Sequence, residues 1–193
     1  MVPCNKHSYI GLFVFEKGDN MKIYLLCGKA RSGKDTIANL MKKKLEASGN
    51  KVCEIAIMRT LKGYLKDYFG WDGKEETKPR TLLQEMGQDI LMDVPNFHVD
   101  RICEDIRILS KYFDTFIVPD VRMVHEIEEF RKRFDDVVVI GVVKENYVSP
   151  LTSEQSNHIT ERDLDNYKDF DYEIVNSDID KLNKDIERVL GDK

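Results

Sequence analysis

Residues 22–36, KIYLLCGKARSGKDT, run from an apolar stretch through a glycine-bracketed loop into an amphipathic segment. No other part of the chain restricts the fold as strongly. A short continuous apolar run ending in glycine reads as a buried strand. The segment after the loop places Ile37, Leu40, Met41 and Leu45 at helical spacing, with Gly49 near its end. A strand buried on both faces and followed by a helix belongs in a parallel sheet, whose crossover helices cover both sides.

The same alternation continues along the chain. Residues 51–57, 114–120, 136–143 and 171–177 read as further strands. Helical spacing marks 60–69, a stretch opening at Pro79, 98–113, 124–134 and 178–190, the last with Ser177 as its expected cap. Two turn-rich stretches, 70–78 and 144–158, lack a period and are expected to be irregular loops or flaps over a substrate. The expected fold class is α/β: three layers, with a parallel sheet of about five strands flanked by helices.

The chain's 193 residues suit one compact domain. Residues 21–193 are assigned to it, with a substrate-binding insertion at 58–100 and a lid at 144–162. Residues 1–20 are read as an N-terminal extension, either non-native or disordered, with Met21 as the expected start. The net charge of −5 gives no basic face for a long nucleic acid. The four cysteines form no C-x-x-C pair, which argues against a zinc site or disulfide framework and for a reducing cytoplasm. No apolar run approaches the ~18 residues needed to span a membrane.

The loop GKARSGKDT sits where a parallel sheet places its ligand, at the carboxyl end of a strand. Its glycines allow the backbone N–H groups to converge, and the following helix adds a partial positive charge. Gly28, Lys29, Ala30, Arg31, Ser32, Gly33, Lys34, Asp35 and Thr36 are therefore expected to hold the phosphates of ATP, with Lys34 reaching the outer ones. Asp35 stands where the common motif has a hydroxyl residue. A carboxylate can hold Mg²⁺ through water, and Thr36 is next in line. Arg31, inside the loop, reads either as a stabiliser of a transferring phosphoryl group or as a solvated loop arginine. Asp120, at the end of an apolar strand, reads either as a third metal-side group or as a helix cap, with Arg122 following it.

GKARSGKDT, RTLLQEMGQD, IVPDVRMVHEIEEFR and HITERDLDNYKDFDYEIVNS occur in this order. Together they resemble the phage and bacterial deoxynucleoside monophosphate kinases, over nearly all of residues 21–193. The G-K-D-T ending is itself a feature of that family. The resemblance implies transfer of the ATP γ-phosphoryl to a (deoxy)nucleoside 5′-monophosphate, with Mg²⁺. It implies acceptor-side roles for Lys62, Arg80 and Arg122, and a lid motif at His158 and Glu161. Lys34, Arg31, Arg122 and Asp120 are the expected catalytic group; Asp35, Thr36 and Asp120 are the expected metal group.

The chain departs from the family's habit at Gln88, where threonine is common, and at His98, where tryptophan is usual. Lys144 lies near where the family tends to place arginine. G-K-D and D-V-R also resemble phosphomevalonate kinases of the animal type. A kinase for phosphomevalonate or dephospho-coenzyme A is therefore one alternative, and a non-catalytic nucleotide-binding regulator another. The expected partners are small-molecule nucleotides, with no nucleic acid and no membrane; a homodimer is left open. Tyr68 and Trp71 read as packing or loop residues, Asp72 and Glu75 as solvated charges, and His125 as a helix-surface residue.

Overall fold

The computed structural model describes residues 21–191; the extension expected at 1–20 lies outside them. The elements are β1 (Lys22–Cys27), α1 (Lys34–Ala47), β2 (Val52–Glu54), α2 (Arg59–Phe69), α3 (Arg80–Asp93), α4 (Phe97–Leu109), β3 (Thr115–Val121), α5 (Val124–Arg133), β4 (Val137–Lys144), α6 (Ser153–Asn157), α7 (Ile159–Arg162), β5 (Tyr172–Asn176) and α8 (Ile179–Gly191). The five strands form one sheet in the order β2-β3-β1-β4-β5. Every pairing is parallel.

Strand alternation divides the core into two layers. Ile23, Leu25 and Cys27 face one way, against Val99, Ile102 and Ile106 of α4 and Ile127 and Phe130 of α5. Tyr24 and Leu26 face the other, against Ile37 and Met41 of α1 and Leu182 and Ile186 of α8. β1 is thus covered on both sides, as its apolar run requires. Its carboxyl end, flanked by β3 and β4, places the loop at 28–33 at the middle of the sheet's carboxyl end.

Several boundaries differ from the sequence reading. β2 ends at Glu54 rather than 57, because the Asp120 carboxylate draws Ile57 and Met58 into a turn. β3 runs through Pro119 and Asp120 to Val121. Its register against β1 slips there: Leu25 pairs with Val118, but Cys27 pairs with Val121. The bulge accommodates a proline, which has no N–H to give to a ladder. Residues 144–158 are not wholly irregular. Thr152 caps α6, with its side chain and that of Gln155 reaching each other's backbone N–H. Asp178, not Ser177, caps α8, its carboxylate accepting from Lys181 N–H at 2.9 Å. The Ser177 hydroxyl turns instead to the Val175 carbonyl.

No helix among the described residues is long and apolar enough to cross a membrane. Cys27, Cys53 and Cys103 are free thiols.

Candidate active site

The loop between β1 and α1 takes its shape from three residues with positive φ: Gly28 at 150°, Arg31 at 56° and Gly33 at 103°. Two of the three need glycine for a second reason. A Cβ on Gly28 would lie 2.5 Å from the Val142 carbonyl oxygen, and one on Gly33 would lie 2.0 Å from Asn176 Nδ2. The Asn176 amide donates to the Ser32 carbonyl at 3.0 Å, so the end of β5 braces the loop. Tyr147 braces it from β4's side, donating to the Ala30 carbonyl at 2.9 Å. Lys29 pairs with Asp165 at 2.7 Å.

Lys34 is buried beneath this loop. Its Nζ donates to the carbonyls of Gly28 and Lys29, both at 2.7 Å. Burial, with the charge of Arg122 added, pushes its ammonium down to about 7. Asp35 and Thr36 are exposed in the first turn of α1, and Arg31 is exposed at the loop's apex.

Asp120 stands at the β3 bulge. Its Oδ1 accepts from Ile57 N–H at 2.8 Å and its Oδ2 from Met58 N–H at 3.2 Å. Lys62 Nζ lies 3.7 Å from Oδ2. The carboxylate therefore ties the β2–α2 turn to β3 and orients a lysine. It does not cap α5, which removes the cap alternative of the sequence reading.

Glu126 occupies the position next to that helix start. It is buried and accepts from Arg122 N–H at 2.8 Å and Met123 N–H at 3.0 Å. Burial pushes its carboxyl up to about 7. The Arg122 side chain turns to Glu161, whose other oxygen accepts from Ala30 N–H at 3.0 Å. Glu161 thus joins α7, the loop and Arg122.

A cleft opens between α3 and this assembly. Lys62, Arg80, Asp120, Arg122, His158 and Glu161, all expected at the site, line it together. A second cleft, on the β4 side, is lined by Gly28, Lys29, Ser32, Lys144 and Tyr147. Arg122, Thr160 and Glu161 line both and so divide them.

Three side-chain links hold α6 and α7 to α3. Gln84 donates to the Gln155 carbonyl at 3.3 Å, Gln155 to Thr81 Oγ1 at 3.0 Å, and His158 Nε2 lies 3.3 Å from Gln88 Oε1. Gln88, a departure in the sequence, is thus the partner of His158.

Lys78, Glu126 and Asn176 were not candidates from sequence. Lys78 lines the first cleft, and burial, reinforced by Lys62, lowers its ammonium's pKa. Glu75 is not simply solvated: it pairs with Arg80, and with Lys78 at 3.4 Å. Partial burial opposes ionisation there, but Lys78 and Arg80 hold its carboxyl below the ordinary value. The K-P-R spacing was a signal for Lys78, and a glutamate three residues after a strand-end turn was one for Glu126. Nothing local marked Asn176.

Tyr68 is exposed, which corrects its packing role; Trp71 stays with its loop, donating to the Lys74 carbonyl at 3.0 Å. Asp72 organises the same loop by accepting from Lys74 N–H and Thr77. His125 is half-buried, not a surface residue, and its Nε2 is buried without a partner.

Among the described residues, no three histidine, cysteine or acidic side chains gather to hold a metal. The available donors, exposed Asp35 and Thr36 with Asp120 engaged by backbone, fit a cation held mainly by water and phosphate oxygens, as Mg²⁺ usually is.

A parallel sheet of this strand order, with a phosphate-binding loop after β1 and cations across a cleft, defines a P-loop kinase, an enzyme of phosphoryl transfer. The family profile of deoxynucleotide monophosphate kinase matches residues 67–186, and the chain belongs to that family. The matched stretch includes Arg80, Arg122, His158 and Glu161 but not the loop at 28–36. No curated protein sequence matches the chain. Among solved structures, the Mycobacterium tuberculosis APS kinase in complex with AMPPNP and APS is similar, with TM-score 0.55 and 11% identity, covering 90% of this chain and 98% of that one. A sugar kinase from Janibacter sp. HTCC2649 has TM-score 0.50 and 13% identity, covering 89% of this chain and 93% of that one. At such identities the likeness is one of fold.

Proposed function

We propose that the protein transfers the γ-phosphoryl group of ATP to the 5′-phosphate of a deoxynucleoside monophosphate. The observation that carries this reading is the position of Arg122, shared by the loop-side cleft and the cation-lined cleft. Phosphoryl transfer asks little covalent chemistry of a protein; it asks for positioning and for charge at the transferring group. ATP as donor is supported by the loop's geometry, and the similarly folded APS kinase was solved with AMPPNP.

In this reading the loop N–H groups and Lys34 bind the donor's phosphates. Lys62, Lys78 and Arg80 hold the acceptor's phosphate, and Arg122 spans the gap between the two anions. An acceptor phosphate oxygen bonds to the γ-phosphorus, the bond from that phosphorus to the bridging oxygen breaks, and ADP leaves. No general base is needed, because a phosphate monoester is already anionic near neutral pH. Arginine suits the crossing point because its planar fork binds phosphate oxygens in pairs. Mg²⁺, when bound near Asp35, Thr36 and Asp120, would supply further neutralisation of phosphate charge. Glu161 must yield the Ala30 N–H before a phosphate oxygen can accept from it, which couples α7 to nucleotide binding. Residues 58–100 and 144–162 then act as acceptor region and lid.

ADP release from ATP and Mg²⁺, measured with each deoxynucleoside and ribonucleoside monophosphate in turn, tests the reading. Turnover on at least one deoxynucleotide is expected. Turnover only on phosphomevalonate or dephospho-coenzyme A would keep the kinase and replace the acceptor. ATP binding with no turnover on any acceptor would favour a regulatory module.

A further inference from the structure

His98 lies on α4 with 4% of its surface exposed, and its side chain lines the first cleft. Neither ring nitrogen has a hydrogen-bond partner. Nearly all buried polar groups find one, because losing water without replacement is unfavourable. Phe97 meets the ring edge-on at 5.4 Å. The Gly87 backbone polarises it without reaching hydrogen-bond geometry. Burial holds its pKa below the ordinary imidazole value, so the ring is neutral near pH 7. A neutral imidazole carries one donor and one acceptor.

The cleft that His98 lines has two chemistries. Lys78 and Arg80 are cationic, whereas Leu83 and Leu91 are apolar. A ligand that satisfies cations, apolar walls and an unpartnered imidazole together carries a phosphate and a flat ring with polar edge groups. Resting on the reading of this cleft as the acceptor site, we propose that His98 selects the base: one of its ring nitrogens hydrogen-bonds to the heteroaromatic base of the acceptor monophosphate. A site built to pair with a polar group discriminates well against a ligand lacking it, since its own buried group is then left unpaired.

The test is kcat/KM for each deoxynucleoside monophosphate with the wild type, His98→Phe and His98→Asn. His98→Phe keeps a ring without its nitrogens and is expected to lower kcat/KM for the preferred base by about tenfold or more. Poor acceptors should change by less than about threefold. His98→Asn, which retains a donor and an acceptor, should keep part of the preference. A uniform change across all bases would overturn the assignment and leave His98 a packing residue. Should the variants not fold, ¹⁵N resonances of the His98 ring in the wild type serve instead. They should shift with the preferred nucleotide and not with 2-deoxyribose 5-phosphate, which has no base; equal responses would overturn the proposal. Wild-type silence on every nucleotide would remove the acceptor reading itself, an outcome distinct from uniform change among active variants.

Discussion

Lys34 sits under the loop with its ammonium pushed down to about 7 by burial and Arg122. A polyphosphate beside it would favour the charged form. At pH 8 nucleotide binding should therefore take up a proton, and affinity should strengthen as pH falls from 8.5 toward 7. Calorimetry of ATP binding in buffers of different ionisation enthalpy measures this uptake, and Lys34→Ala should lose it. The same substitution should abolish transfer while the fold survives; persisting wild-type turnover would remove Lys34 from the site. Asp120 presents a different case, since both its oxygens serve backbone N–H groups. Asp120→Asn can accept through only one atom and leaves a partly buried N–H unpaired. It should cost about 1–3 kcal/mol in urea unfolding, in addition to any loss of turnover. Asp120 was legible as a strand-end acid, but its partners were not, because they lie 63 and 62 positions away.

At the scale of elements, the loop depends on β5 as much as on its own glycines. A methyl group at Gly33 would meet the Asn176 amide at 2.0 Å in a left-handed backbone. Gly33→Ala should displace that amide, free the Ser32 carbonyl and weaken ATP binding by at least tenfold, as read by nucleotide titration. The short helix α6 depends on Thr152, whose side chain accepts from Gln155 N–H. Thr152→Ala should cost α6 about 1 kcal/mol and raise amide exchange in 152–157 while leaving the sheet protected. The T-x-x-Q pattern was present in the sequence, but the surrounding polar residues hid a five-residue helix that has no buried face of its own.

Across the whole molecule, two buried ionisable groups act on stability in opposite directions. Glu126 has a folded pKa raised to about 7, above its unfolded value. Its contribution is therefore fully present below about pH 4.5 and lost as pH rises through 7. Lys34 has a folded pKa lowered to about 7, so its contribution is present above about pH 10.5 and lost as pH falls through 7. Urea unfolding of the wild type and Glu126→Gln between pH 5 and 8 separates the two. The difference in stability should shift in favour of the variant as pH rises, and a pH-independent difference would mean that Glu126 does not titrate in this range. The two-layer core sets the background: Phe116, fully buried, should cost about 3–5 kcal/mol when cut to alanine.

The sequence by itself determined the alternation of strand and helix, the parallel sheet and the loop with Lys34 after the first strand. Each of these is written in near neighbours: apolar runs, helical spacing and glycines at fixed offsets. Tertiary structure decided which charges meet. Glu161 reaches Ala30 across 131 positions, and Asn176 reaches Ser32 across 144. It also decided that Lys78 joins the cleft and that His98 lines it with both nitrogens unpaired. Periodicity specifies which face of an element is buried. What that face meets depends on strand order, which leaves no mark in the spacing of neighbouring residues.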